Sequence, residues 1–184
     1  MTFDTACSAS LVATHHAHMC MLNFKTWDTK FDGSVAGGTN SMGPLGFIGN
    51  SAASHISHVG RCFTFDQTAD GYQRGEGSAF FLLKISDDID VIESRLACMI
   101  GSGCNQDGRS ASLSAPNGPA QQALIRHSLR MGGIDPEHVS AIECHGTGTK
   151  LGDPIEVGAV EKVFNGEVET PLPHTSGKTN FGHT

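Results

Sequence analysis

The sequence predicts an α/β protein with a largely parallel sheet, and three observations carry that prediction. From residue 95 onward, short apolar stretches alternate with helical ones, the pattern of strand–helix units. Glycine supplies 23 of 184 residues, about one in eight against a usual ~7%, with no collagen-like period. Such a content implies many tight turns and close backbone approaches. A length of 184 residues and an apolar fraction of 38% suit a globular domain with a sizeable core.

The elements follow in order. Residues 8–22, SASLVATHHAHMCML, place Leu11, His15, Met19 and Leu22 at helical spacing, with Ser8 as the capping residue. A loop with Lys and Asp comes next, then GSVAGGTNSM (33–42), a short strand running into glycines. PLGFIGNSAASHISHVG (44–60) reads as part loop and part short helix. GEGSAFFLLKI (75–85) is the clearest buried strand, and the polar SDDIDVIES (86–94) is a connector and the best internal boundary. RLACMIGSG (95–103) reads as a strand, and 105–118 as a turn-rich loop. PAQQALIRHSLRMGG (119–133) reads as a helix opened by Pro119 and closed by Gly132 and Gly133. VSAIECH (139–145) reads as a strand, GTGTKLGD (146–153) as a Gly-rich loop, and PIEVGAVEKVF (154–164) as a helix. The tail is mostly loop with one short extended piece.

Composition narrows the function. A net charge of −7, one Trp, one Tyr and no Lys/Arg cluster argue against nucleic acid. Residues 1–22 lack a basic start before an apolar stretch, and no apolar run approaches membrane-spanning length. The six cysteines read as reduced thiols, with Cys98 and Cys104 as core thiols.

Three stretches carry candidate chemistry. In TFDTACSAS, Cys7 stands just ahead of a helix start, where unpaired N–H groups and the helix dipole favour a thiolate. A buried structural cysteine is the competing reading of that stretch. In ECHGTGTKLGDP, His145 lies where a strand gives way to a glycine-rich loop, a common place for site residues in an open α/β sheet. Thr147 and Thr149 alternate with the glycines and could bind a polar ligand; a plain turn with a surface histidine is the alternative. In SGKTNFGHT, Lys178 and His183 read as a loop cation and a second histidine. Its GKT is not a phosphate-binding loop, because Leu172 occupies the position where that motif needs a glycine. HHAHMC (15–20) resembles a metal site, but its histidine and cysteine pairs fall on different helix faces, so a satisfied or exposed histidine cluster is the better reading. One cysteine and two histidines, each on a small-residue segment, suggest acyl transfer through a thioester. Spacing alone does not bring them together.

Their order supplements that. DTACSAS, HGTGTKLGDPIE and KTNFGHT closely resemble the active-site blocks of β-ketoacyl synthases, the modular polyketide branch first and animal-type fatty acid synthases next. VAGGTN, GRCFTFDQTADGYQRGEG and NQDGRSASLSAPNGPAQQ extend the likeness over essentially the whole chain. Ala9 and Phe181 depart mildly from the usual residues, a serine and an aliphatic.

The resemblance implies a thiolase-like fold, two βα halves packed as five αβαβα layers, present here as an incomplete fragment. Residues 1–90 would be the end of the N-terminal half, and 91–184 most of the C-terminal half. It implies that Cys7 accepts an acyl chain as a thioester. His145 and His183 would bind the extender's carbonyl, with Lys178 behind them and Thr147 and Thr149 on the pantetheine arm. No metal is expected, and no cofactor bound directly: phosphopantetheine would come on a partner acyl carrier protein. Acyl and malonyl-type thioesters would be substrates, an acyltransferase domain would lie in cis, and the full domain would be a homodimer. The setting would be cytoplasmic or plastid, with no membrane segment. Most of the family's dimer interface and a glycine-rich loop expected to complete the oxyanion hole would be missing, so the fragment alone is expected to be inactive and not to dimerise properly. A thiolase-like or hydrolytic cysteine enzyme, or a scaffold that has lost catalysis, are the rival readings.

Overall fold

The computed structural model describes residues 1–24, 33–112, 115–164 and 171–184. The loop anticipated after residue 24, and residues 113 and 114 of the loop anticipated over 105–118, lie outside them. The described chain contains α1 (Ala9–Phe24), β1 (Ser34–Asn40), α2 (Pro44–Ala52), β2 (Gly77–Leu83), α3 (Ile89–Ser94) and α4 (Gly118–Gly132). A short 3₁₀ turn (Pro136–His138), β3 (Ile142–Glu143), α5 (Gly152–Phe164), β4 (His174–Thr175) and α6 (Lys178–Phe181) complete it.

Among the described residues the strands form two pairs rather than one largely parallel sheet. β1 and β2 run antiparallel, with Ser34 opposite Leu83 and Asn40 opposite Gly77. β3 and β4 are parallel, Ile142 facing His174. The parallel pairing that the sequence predicts holds for β3 and β4, whereas β1 and β2 join as an antiparallel pair. α1 lies across β1, so closely at its start that a methyl group on Gly38 would sit 2.7 Å from Cβ of Ser10.

α4 shows its determinants most plainly. Asn117 caps it by accepting from the N–H of Ala120, proline stands in the first turn, and Gly133 ends it in the left-handed region at φ 62°. α4 packs on α5. There Val160, Val163 and Phe164 form the core, with Ile125, Leu129, Val139, Ile142 and Leu172 against them. This apolar cluster fixes where α5 begins, and so where the loop before it must end.

Several expectations need correction. β2 is not buried: Phe80, Phe81 and Leu82 are 63%, 58% and 73% exposed, because β1 is the strand's only partner among the described residues and nothing described covers its faces. The α1 stripe anticipated at Leu11 and Leu22 is likewise exposed, and the buried residues of that helix are His18 and Met21. Residues 95–103 form no ladder, since no described strand lies alongside to pair with them. Cys98 and Cys104 are exposed rather than core thiols, for the same lack of cover. α6 was not anticipated in the tail. Among the described residues no helix is long and apolar enough to cross a membrane.

Candidate active site

Three segments far apart in sequence meet at one place. The first turns sharply into α1. Ala6 holds φ 53°, a left-handed conformation that costs a non-glycine residue about 1 kcal/mol or more and is favoured where a site needs it. Its N–H reaches Oδ1 of Asp4 at 3.3 Å, while the N–H groups of Ser8 and Ala9 bond back to Thr5 and Ala6. Cys7 is thereby set on the outside of the turn, two residues ahead of the helix, with its thiol exposed. Ser8 does not cap the helix as anticipated: its hydroxyl donates backwards to the carbonyl of Thr5 at 2.9 Å.

The second segment comes directly after β3. The N–H groups of His145 and Gly146 both donate to the carboxylate of Glu156, at 2.6 and 2.9 Å. One turn earlier in α5, Asp153 is 4% exposed and accepts from the N–H groups of Gly148, Thr149 and Phe65. Carboxylates in the first turns of a helix suit its dipole, and here they also gather the loop's free N–H groups. Gly148 needs its glycine: it holds φ 78°, and a Cβ there would lie 2.7 Å from the N of Phe63. The carbonyl of Gly146 accepts from the Thr64 hydroxyl, and that of Gly148 from the N–H of Gly71 at 3.0 Å. Thr147 is buried, with its hydroxyl 3.3 Å from that of Thr149. A groove of about 420 Å³ next to the loop is lined by Thr149, Lys150, Asp153, Phe65 and Ala69, but not by Cys7 or either histidine.

The third segment is α6 with the three residues after it. His183 is tied to the loop before β2: its N–H donates to Gln73 at 2.7 Å, and its carbonyl accepts from Gly75 at 2.8 Å. Residues 62–75 thus stitch both histidine-bearing loops to the N-terminal part of the chain.

The outcome is a compact trio. The Cys7 sulfur and a ring nitrogen each of His145 and His183 all lie within 4.8 Å of one another. The two imidazoles meet edge to face at 5.3 Å and 85°, and Tyr72 sits edge-on to His183 at 5.1 Å. Desolvation by the surrounding loops lowers the pKa of both rings, although His145 as a whole residue is exposed. His183 is brought down to about 4 by desolvation, then by His145 and the Lys178 ammonium. His145 is lowered by desolvation and then by Lys178, against smaller opposing effects of Glu156 and Asp153. Both rings are therefore neutral at physiological pH, each with one N–H to donate. Nδ1 of His183 is buried and has no hydrogen-bond partner among the described residues. The thiol of Cys144, adjacent to His145 in sequence, is pushed up to about 12 by burial and then by the Glu156, Glu143 and Asp153 carboxylates, which disfavours its thiolate.

The structure thus brings together Cys7, His145 and His183, places Lys178 within electrostatic reach of both rings, and puts Thr147 and Thr149 in the adjoining loop. The histidines of HHAHMC belong elsewhere: His15 and His18 each share the Ser102 hydroxyl at 2.8 Å, which fits the satisfied cluster anticipated for them. Sequence reasoning missed Asp153 and Glu156. The signal was present in GDPIE (152–156), two acids flanking a proline at the start of a helix that comes after a glycine-rich loop.

Comparison with known proteins identifies the family. Residues 1–89 match the family model for the β-ketoacyl synthase N-terminal domain, and residues 96–184 that for its C-terminal domain. The chain is 44% identical over 186 residues to a highly reducing polyketide synthase of a fungal species, covering 100% of this chain and 7% of that protein. It is 39% identical over 184 residues to an orsellinic acid synthase of Armillaria mellea, covering 98% of this chain and 8% of that one. The chain therefore spans only a small part of the length of these curated relatives. Among solved structures, the ketosynthase from module 6 of the bacillaene synthase of Bacillus subtilis matches with a TM-score of 0.87 and 37% identity, covering 99% of this chain and 32% of that chain. An oxazolomycin ketosynthase domain of Streptomyces albus gives a TM-score of 0.90 at 34% identity, covering 100% of this chain and 33% of that one. The fold is part of the thiolase-like fold of those domains, and the chain belongs to the β-ketoacyl synthase family.

Proposed function

We propose that these residues form the reacting centre of a β-ketoacyl synthase that lengthens a polyketide chain by decarboxylative Claisen condensation. The single observation that carries the reading is the convergence of the Cys7 sulfur with two imidazole nitrogens inside 4.8 Å. In the proposed cycle the Cys7 thiolate displaces the thiol of a carrier-bound phosphopantetheine and takes the acyl group as a thioester. A malonyl-type thioester then loses CO₂. The electron pair of the broken C–C bond passes to the α-carbon and, by delocalisation, to the thioester oxygen. N–H groups of His145 and His183 hydrogen-bond that oxygen as its charge develops. The α-carbon attacks the acyl carbonyl on Cys7, a C–C bond forms, and the C–S bond breaks with its pair returning to sulfur.

Neutral imidazoles support this role, because a donor buried beside an enolate works without an added cation on the ring. Lys178 contributes the longer-range positive field that both lowered histidine pKa values report. Thr147 and Thr149 are assigned to hydrogen bonds with the pantetheine arm. An acyl carrier protein and an acyltransferase domain are the proposed partners. The exposed apolar faces of β1 and β2 support cover by further ketosynthase residues, in the same chain or across a homodimer. The connector over 86–94 is proposed as the join between the two halves, a placement supported by the gap between the two family matches.

The test uses the complete polypeptide that carries these residues. His145→Ala and His183→Ala should each retain acyl loading while CO₂ release and ketide formation fall by about 10²–10³-fold. Condensation at the parent rate in either variant would overturn the roles assigned to the rings.

A further inference from the structure

We infer that Cys7, His145 and His183 also form a reversible inhibitory site for a thiophilic divalent cation, with Zn²⁺ as the best match. The inference rests on the proposed trio. One sulfur and two imidazole nitrogens are a zinc ligand set, and three protein ligands leave the fourth position for water. The three atoms already lie within 4.8 Å of one another, whereas ligands around tetrahedral zinc stand roughly 3.3–3.8 Å apart given its bond lengths. A shift of about an ångström closes that gap, which rotation of the exposed Cys7 and His145 side chains together can supply.

Two further observations point to a ligand here. Among the described residues, none of the hydrogen bonds at the site occupies the Cys7 sulfur or the His145 ring, so neither must surrender a protein partner to bind metal. Nδ1 of His183 is buried without a partner, a polar atom otherwise left unsatisfied. The other group with metal-ligand composition among the described residues, Asp135, Glu137 and His138, is wholly exposed and carries no such feature.

Binding replaces the Cys7 thiol proton: the S–H bond breaks, a Zn–S bond forms and one proton goes to solvent, with no change of oxidation state. The metal then covers the sulfur that must attack a thioester and takes the lone pair of the facing nitrogen in each ring, the ring proton residing on the other nitrogen, so neither imidazole can donate to the extender. Acyl loading and zinc binding are accordingly mutually exclusive. The site is inhibitory rather than structural, because zinc-bound imidazoles normally donate their second N–H to a fixed partner and the ring of His145 has none among the described residues.

The experiment alkylates the complete polypeptide with iodoacetamide in buffered Zn²⁺ and in EDTA, and reads each cysteine by peptide mass spectrometry. Zinc should slow alkylation of Cys7 at least tenfold, with EDTA restoring it, while every other cysteine that reacts in EDTA does so at an unchanged rate. His145→Ala and His183→Ala should each weaken zinc protection, read as the ratio of the Cys7 alkylation rates in EDTA and in zinc, at least tenfold, while buried Cys62 and Cys144 stay unreactive as a control that the fold survives. Undiminished protection in both variants, equal protection of all exposed cysteines, or none at Cys7 would each overturn the inference. Acyl labelling run alongside separates the two readings. Zinc protection without acyl label on Cys7 would sink the catalytic proposal alone, and acyl label without zinc protection would sink the metal site alone.

Discussion

Replacing Asp153 by alanine isolates the carboxylate that organises the loop between His145 and α5. The side chain is 4% exposed and accepts from Gly148 through both oxygens at 3.1 and 3.2 Å, from Thr149 at 3.3 Å and from Phe65 at 2.9 Å. Alanine leaves three backbone N–H groups without an acceptor. The Gly148 N–H lies in buried surroundings, and the other two are partly covered. At about 1–2 kcal/mol for each lost bond to a charged acceptor, less for the wetter two, the loss is about 2.5–4.5 kcal/mol. A further ~0.5 kcal/mol comes from removing a negative charge in the first turn of α5. That is a large share of the ~5–15 kcal/mol that holds a typical domain folded. Urea unfolding of the complete ketosynthase domain measures it, with Asp153→Asn as the milder change that keeps one acceptor oxygen. Asp153→Ala should lose about 3–5 kcal/mol and Asp153→Asn roughly half of that. A loss below about 1 kcal/mol for the alanine variant would refute the claim that this carboxylate holds the loop.

Three other outcomes are expected from the same geometry. Gly148→Ala should destabilise by about 2–4 kcal/mol, since the residue holds φ 78° and its Cβ would meet the N of Phe63; the denaturation midpoint reports it. His183 is held near 4 in the fold against an ordinary 6.5, so protons favour the unfolded chain. Its neutral form is fully accommodated above about pH 6.5, and stability falls as pH drops from there towards 4. A fully enclosed ring would lose ~3.4 kcal/mol over that window, and partial exposure reduces this to about 1–2 kcal/mol; His183→Gln should flatten the profile of unfolding free energy against pH. The 184-residue chain purified by itself, with the apolar faces of β1 and β2 uncovered, should not turn over acyl and malonyl carrier-protein substrates, and measurable ketide formation would contradict that.

What the sequence disclosed depended on how local its determinants were. α4 was legible almost to the residue, because Asn117, Pro119 and Gly133 act within a turn of where they stand. The GTGT loop was legible for the same reason. Burial was not: AFFLL reads as core, yet Phe80 and Leu82 are exposed, since cover is a property of neighbours and not of the strand. Residues 95–103 have strand composition but no described partner to hydrogen-bond, and a strand without a ladder is only an extended segment. The site shows the same division. Cys7, His145 and His183 each stood out locally, but nothing in their spacing indicated that residues 62–75 would tie the loops together through Thr64, Gly71, Gln73 and Gly75. The order of the motifs supplied what spacing did not. Asp153 and Glu156 were overlooked because acids beside a helix start usually serve the helix, whereas here they also hold the loop carrying His145.

The account stands most directly on the identity of the nucleophile. The complete polypeptide should be incubated with an isotopically labelled acyl thioester of the carrier protein, digested, and mapped by mass spectrometry. The account predicts label on the peptide containing Cys7 as a hydroxylamine-sensitive thioester, and none in Cys7→Ala. Covalent label persisting in Cys7→Ala, or resting on another residue of the wild-type chain, would contradict it.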